Sequence, residues 1–409
     1  MTLQRNIRKS DFESLLMKFL ALPVLFFIST VVYLSSELNT LETIHQTPVA
    51  YGIQIPKITG GNCLEYGCPF YPPEITDVIE KDIFDWTKSL SNQSKKTTGL
   101  SFGNINHSGL SKMGQSHKIN QDRGLIVYPF YHTKENEISH IDQNNFLCAI
   151  FDGHGLSGEI IAQYLQEHLP MLLYEKISQN YSEELELTDD FVMKILRDTF
   201  LEIDQSLDPD AAEISGSTAS VVLRIRSKLY VANAGDSTSM LVSYDTKNTK
   251  QQDATIVHTN RKDKGCIPEE KERIERMGGK VFIRNEFHAR VVAFNKVLNE
   301  PVSLGMSRSI GDWPHGRVGV IAEPIVDVID LKEVSQPGIG LVVICGSDGV
   351  YDRRRPQFVA NHLANGVFSA EATDRNIVSE TLEIIRLAMP TNPVGYRDDM
   401  SLMAVRVIM

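Results

Sequence analysis

Cysteine is scarce, with five in 409 residues, too few for a disulfide scaffold. Basic charge is in deficit. Lys and Arg total 41 against 52 Asp and Glu, so 41 − 52 = −11. Holding a phosphate backbone needs a basic face, so nucleic acid is excluded as the expected partner. Neither CxxC nor HExxH occurs, which deprives zinc of its usual ligand spacing. There is no internal repeat and no single-residue tract, which sets aside solenoids and low-complexity chains. What is present is ordinary for a globular protein. Apolar residues make up 42% and charged residues 23%, so a wholly disordered chain is also excluded.

Phe19–Leu34 (FLALPVLFFISTVVYL) is almost purely apolar. Extended back over Leu15, Leu16 and Met17 it reaches about 20 residues, the length that spans a bilayer. Residues 1–35 therefore read as an N-terminal membrane anchor, with a cleaved signal peptide or a buried helix as the competing readings. Arg5, Arg8, Lys9 and Lys18 precede or open the stretch, while Glu37 and Glu42 follow it. The positive-inside rule then places the rest of the chain on the lumenal or extracellular side. Cys63 and Cys68 could pair there. Asn92-Gln-Ser94, Asn106-His-Ser108 and Asn180-Tyr-Ser182 match the glycosylation pattern, a weak signal because such triplets are short. Residues 36–98 carry Pro48, Pro56, Pro69, Pro72 and Pro73 and read as a spacer.

From residue 99 to 409 short β-branched runs alternate with helix-like segments. Strands are expected at Gly124–Phe130, Phe146–Phe151, Ala219–Ile225, Lys228–Ala234, Ser239–Tyr244, Leu341–Cys345 and Ser401–Ile408. Helices are expected at Gly158–Ser178, Asp189–Ser206, Glu269–Met277, Gln357–Asn365 and Ala370–Ala388. Thr188 is placed to cap the second of these, and Gly278-Gly279 to stop the third. Consecutive strands with helices grouped before and after them indicate mixed α and β layers without a strict βαβ alternation.

Aspartates recur where these strands end. Phe146–Phe151 runs into Asp152-Gly-His-Gly155, Lys228–Ala234 into Gly235-Asp236-Ser237, and Leu341–Cys345 into Gly346-Ser-Asp348-Gly-Val-Tyr-Asp352. Arg397-Asp398-Asp399 leads into the last strand. Any one of these is an ordinary turn signal. Together they suit carboxylate ligands, because converging aspartates repel one another unless a cation sits among them. An oxygen-only set favours Mg²⁺ or Mn²⁺.

The ordered set Asn120-Gln-Asp122, Phe151-Asp-Gly-His-Gly155, Ser215-Gly-Ser-Thr-Ala219, Ala232-Asn-Ala-Gly-Asp-Ser237, Ser307-Arg-Ser-Ile-Gly-Asp312, Gly319-Val-Ile-Ala-Glu-Pro324, Cys345-Gly-Ser-Asp-Gly-Val-Tyr-Asp352 and Asp398-Asp-Met-Ser401 resembles the metal-dependent protein serine/threonine phosphatases of the type 2C, or PPM, family. The resemblance covers about residues 99–409. It implies an α+β fold, two antiparallel β-sheets packed as a central sandwich and flanked by helices. It implies hydrolysis of phosphoserine and phosphothreonine in phosphoproteins at a binuclear Mg²⁺ or Mn²⁺ centre with a possible third ion. By resemblance Asp152 bridges the pair and the Gly153 carbonyl joins one ion. Asp348 and Asp398 are further ligands, and Asp122 holds water at the metal. Asp236 and Asp352 would share a third ion with Asp348. His154 would be the general acid. Asp312 receives no direct role.

Two positions depart from the family pattern. His117, with Lys118 beside it, stands where members carry a basic residue, often arginine, for substrate phosphate, so a bidentate guanidinium is missing there. Gln121 replaces an acid that many members have before Asp122. Ile267–Asn299 resembles the family's flap, expected as a helix and turn. A cysteine-dependent mechanism is not supported. The sixth residue after Cys148, Cys266 and Cys345 is His154, Glu272 and Tyr351, never the required arginine. Asp208-Pro-Asp210 reads as a turn rather than an aspartyl nucleophile pair. The alternative from another class is a membrane-tethered binding module on the same fold with little or no catalysis, favoured by His117 and opposed by the acids and His154. A monomer is expected. The family's habit of acting on cytosolic phosphoproteins conflicts with the side given by flanking charge, and the sequence leaves both sides open.

Overall fold

The computed structural model describes residues 102–107, 119–128, 130, 144–180, 187–247, 253–285, 288–368, 376–389 and 397–409. Strand β3 (Phe146–Gly155) shows how the layers arise. Successive side chains leave a strand on opposite faces. Phe146, Cys148 and Ile150 enter one hydrophobic cluster, while Leu147, Ala149 and Phe151 enter another. Strand β14 (Ile339–Gly346) divides likewise. Leu341, Val343 and Cys345 meet the first cluster, and Val342 and Ile344 face away from it. Burial on both faces is why these segments read as unbroken apolar runs.

A seven-stranded sheet is built around β3. β2 (Asp122–Val127) pairs along one side. β5 (Ala219–Ile225) and, at the far end, β4 (Ser215–Ser217) pair along the other. β6 (Lys228–Ala234), β13 (Ile325–Asp330) and β12 (Ile310–Gly311) complete it. A five-stranded sheet runs β1 (Phe102–His107), β15 (Met400–Val407), β14, β7 (Thr238–Asp245), β8 (Thr255–Thr259). All these strand pairs are antiparallel. The two sheets share the cluster of Phe146, Ile150, Val343 and Val405 between them. Helices Gly158–Asn180 and Asp189–Gln205 cover the outer face of the first sheet, and Pro356–Phe368 and Asn376–Ala388 that of the second.

A third, smaller sheet stands beside the expected two-sheet sandwich. Helix Pro268–Arg276 is followed by β9 (Lys280–Asn285), β10 (His288–Asn295) and β11 (Glu300–Leu304), which among the described residues pair only with one another. The segment expected as helix and turn is thus helix and hairpins. It has its own small core of Ile274, Val291, Leu304, Met306 and Val320.

Several local expectations hold. Thr188 caps its helix, its side chain accepting from the Phe191 amide at 3.4 Å. Gly278 follows Pro268–Arg276 with φ +86°, the left-handed backbone that ends helices. Asp208-Pro-Asp210 is not a free turn. Asp208 caps a short helix, Pro209–Ile214, by accepting from the Ala211 amide at 3.0 Å. β3 also runs longer than expected, through Asp152 to Gly155, because β4 pairs with its last three residues. No helix among the described residues is long and apolar enough to cross a membrane. Phe19–Leu34, the spacer, Cys63 and Cys68 lie outside the described residues.

Candidate active site

Both sheets deliver acids to one end of the sandwich. Asp122 and Asp152 are register partners on β2 and β3 of the seven-stranded sheet. Asp348 follows the end of β14, and Asp398 precedes β15, its neighbour in the five-stranded sheet. Asp236 sits in the tight connection from β6 to β7, where the chain crosses from one sheet to the other. Hydrogen bonds lock the two sheets together there. Ser347 Oγ donates to Asp122 Oδ2 at 2.7 Å and accepts from the Ser401 amide at 2.9 Å. The Gln121 amide donates to Asp399 Oδ2 at 3.0 Å.

Glycine is required at two of these junctions. A Cβ on Gly153 would meet the Gly158 and Gln121 carbonyl oxygens at 2.4 and 2.5 Å. One on Gly349 would lie 1.9 Å from the Asp399 carbonyl oxygen. Both obstacles are backbone and cannot swing aside. We expect Gly349→Ala to lower the melting temperature by at least several degrees, since overpacking of this kind costs about 1–3 kcal/mol. A melting curve within a degree of the parent would refute that.

The acids repel one another. Burial, then Asp122, Asp348, Asp398 and Asp236, push Asp152 well above the usual carboxylate range. Burial, then Asp236, Asp398, Asp352 and Asp122, push Asp348 up to about 8. Asp122 rises to about 7 through burial and Asp399, although bonds from Ser347 and Ser401 oppose the shift. Among the described residues no three His, Cys, Asp or Glu side chains are already closed around an ion-sized point. The donor chemistry nevertheless fits a hard divalent cation: carboxylates in each other's field, a main chain stripped of side chains at Gly153 and Gly349, and no thiolate among them.

His154 lies two residues beyond Asp152, and its Nε2 is 2.6 Å from Asp312 Oδ2. Burial pulls the imidazolium down, but the charge and hydrogen bond of Asp312 more than offset it, and the His154 pKa is raised. Burial likewise works against the Asp312 carboxylate, yet His154, His315 and Ser309 hold it below its usual value. Asp312 is therefore the ionised acceptor, and the His154 proton in that bond belongs to Nε2. Ser309 Oγ donates to the same oxygen at 2.7 Å. The Asp312 backbone is left-handed, φ 50° and ψ 41°, a conformation costly for a residue with a side chain and often kept for function. Sequence reasoning gave Asp312 no role. The signal available was only its place after a glycine in SRSIGD.

Gln121 is half-buried and its side chain is engaged. Its Nε2 donates to Glu159 Oε2 at 3.0 Å and to the Gly155 carbonyl at 3.2 Å, tying the residue before β2 to the end of β3 and to the first turn of the helix that follows it. Asp352 is exposed at the end of the turn Asp348–Tyr351. His117 and Lys118 lie outside the described residues.

A family model described as Protein phosphatase 2C matches residues 108–383. The chain belongs to the protein phosphatase 2C family. A probable protein phosphatase 2C 64 from rice (Oryza sativa subsp. japonica) is 27% identical over 289 residues, covering 69% of this chain and 61% of the relative. Protein phosphatase 2C 1 of Paramecium tetraurelia is 28% identical over 252 residues, covering 57% and 73%. Among solved structures, a serine-threonine phosphatase 2C from Toxoplasma gondii superposes with a TM-score of 0.57 at 15% identity, covering 76% of this chain and 96% of that one. A sex-determining protein of C. elegans gives 0.53 at 19%, covering 83% and 75%. These two likenesses establish the fold. The expected protein phosphatase 2C membership is borne out. The chain spans about three fifths of the rice relative.

Proposed function

We propose that the chain hydrolyses phosphoserine and phosphothreonine in phosphoproteins with Mg²⁺ or Mn²⁺ bound among Asp122, Asp152, Asp348 and Asp398. The observation that carries this is the gathering of acids from both sheets, where burial and the neighbouring carboxylates raise Asp122, Asp152 and Asp348. When bound, a divalent pair lowers the pKa of water and offsets charge on phosphoryl oxygens. The side chains supply the rest. Asp152, the Gly153 carbonyl, Asp348 and Asp398 would hold the ions. Asp312 fixes the His154 ring through Nε2, which leaves Nδ1 as the other proton-bearing atom of the imidazolium. A proton from His154 stabilises the departing serine or threonine oxygen, a poor leaving group as an alkoxide.

Purified full-length protein in detergent, given Mn²⁺ and a phosphothreonine peptide, is expected to release phosphate and to stop on chelation. Ion binding without turnover would mark the binding module instead. A sharper result concerns the proton. In Asp312→Asn, turnover of a phosphoserine peptide should fall about 10²-fold, the usual worth of a general acid. Turnover of p-nitrophenyl phosphate, whose phenolate leaves without a proton, should fall far less. Equal losses on both substrates would remove His154 from the acid role.

The proposal extends to the N-terminus, where the apolar Phe19–Leu34 supports a membrane anchor. Full-length protein should stay with membranes through an alkaline carbonate wash. A glycosidase mobility shift then reports the side, since a shift requires that the domain crossed.

A further inference from the structure

The expected third-ion ligand Asp236 already has a cation. Lys264 Nζ donates to Asp236 Oδ2, with the Lys264 and Asp236 side chains only 22% and 6% exposed. Lysine is usually a mobile surface charge, but the chain on either side of this one is fastened. The Asp263 amide donates to the Gly235 carbonyl at 2.9 Å. The Gly235 amide returns a bond to Asp263 Oδ2 at 3.1 Å, and Asn233 Nδ2 reaches the same oxygen at 3.2 Å. On the other side the Ile267 amide donates to the Lys264 carbonyl at 3.1 Å, one residue before helix Pro268–Arg276. Gly235, at φ +121°, packs so closely on Thr218 that a Cβ would lie 2.7 Å from it. The ammonium is thus delivered to Asp236 by a loop bolted to the very turn that carries Asp236. Asp348 and Asp152 both feel the Asp236 charge, so a positive group is favoured at this point whatever its source.

We propose that Lys264 is a built-in competitor for the third ion: Asp236 is shared between the Lys264 ammonium and a divalent cation, so a third ion binds only by displacing the lysine. Resting on the metal reading above, this makes the third position weaker than the other two by construction. Asp352, the other ligand expected for that ion alone, is exposed and adds no enclosure. The displaced side chain belongs to the segment leading into the helix before β9, whose backbone stays held by the Asp263, Gly235 and Ile267 bonds, so only the Lys264 side chain has to move.

The test counts ions rather than turnover. Mn²⁺ is added stepwise to full-length protein, and free ion is read by its paramagnetic resonance signal. The parent is expected to take two ions tightly and a third at least tenfold more weakly. Lys264→Met should tighten the third by tenfold or more and leave the first two unchanged. Lys264→Arg, which keeps the charge, should leave the third weak. Adding Asp236→Asn to Lys264→Met should abolish the gain. Thermal melts confirm that each variant is folded before it is scored. A third affinity in Lys264→Met within twofold of the parent, or no third ion in either, overturns the competition while leaving the two-ion centre standing. A parent that binds no Mn²⁺ overturns the metal reading itself.

Discussion

Asp152→Asn is expected to cut phosphate release by about 10³-fold or more, the scale of removing a group that organises charge in the transition state. The same change should make the metal-free protein more stable, not less. Asp152 lies in the field of Asp122, Asp348, Asp398 and Asp236, with burial the largest influence raising its pKa. Its ionised form is opposed from every side, and an isosteric amide removes that opposition. Asp348, raised to about 8 by burial and then by Asp236, Asp398, Asp352 and Asp122, should behave alike in Asp348→Asn. At neutral pH and in chelator, either variant should melt a few degrees above the parent, the shift that about 1–2 kcal/mol produces in a domain of this size. Saturating Mn²⁺ should reverse the order. The parent gains about 2.7 kcal/mol at one hundred times the dissociation constant, and a variant with a broken site gains little. Calorimetry with and without Mn²⁺ reads both effects. A variant that is inactive and also less stable in chelator would show that Asp152 serves the fold, and the mutual-repulsion account would fail.

The acids were legible in the sequence because strand ends are. Phe146–Phe151 and Leu341–Cys345 are apolar runs that each stop at Asp and Gly, and strands buried on both faces leave that mark. The structure places Asp152 and Asp348 at one end of the sandwich, as those endings require. Asp312 and Lys264 were not legible. Asp312 reaches His154 only because β12 pairs with β4 and β4 pairs with the end of β3, a relation among residues 158 apart in sequence. Lys264 reaches Asp236 through a loop held by Asp263 and Asn233. Neither contact follows from local pattern. The third sheet escaped for another reason. In β10 exposed His288, Arg290 and Phe294 alternate with buried Ala289, Val291 and Ala293. The buried partners are mostly small, so the period of two is faint, and the helical charge pattern of EEKERIER before it dominated the reading.

Glu270→Ala is expected to destabilise the fold by about 3–5 kcal/mol, because it removes a fully buried carboxylate from three partly buried arginines, two of which keep only Asp263 as a buried anion. Glu270 is on the helix before β9, its side chain 0% exposed. Its Oε1 accepts from Arg261 Nη2 at 2.8 Å and from Arg308 Nη2 and Nε at 2.8 and 3.1 Å. Its Oε2 accepts from Arg273 Nη2 at 2.6 Å. Arg308 belongs to the SRSIGD segment that ends at Asp312, and Arg261 to the loop that carries Lys264. One carboxylate therefore joins the helix, that loop and the strand leading to the His154 partner. Burial works against its charge, but Arg273 and Arg308 more than reverse this and bring its pKa down to about 2. The sign of the linkage follows. A carboxylate depressed in the folded state stabilises fully above its unfolded value of about 4.5. That stability is lost as pH falls from there toward about 2. Glu270→Ala should lower the melting temperature at neutral pH by about 6–20 °C. Glu270→Gln, which keeps the volume, separates charge from packing: if charge dominates, it should lose nearly as much. The gap between parent and Glu270→Gln should then narrow as pH drops below about 4, since the parent loses its own charge there. A gap that stays constant down to pH 2 would show that Glu270 acts through packing and not through the arginines.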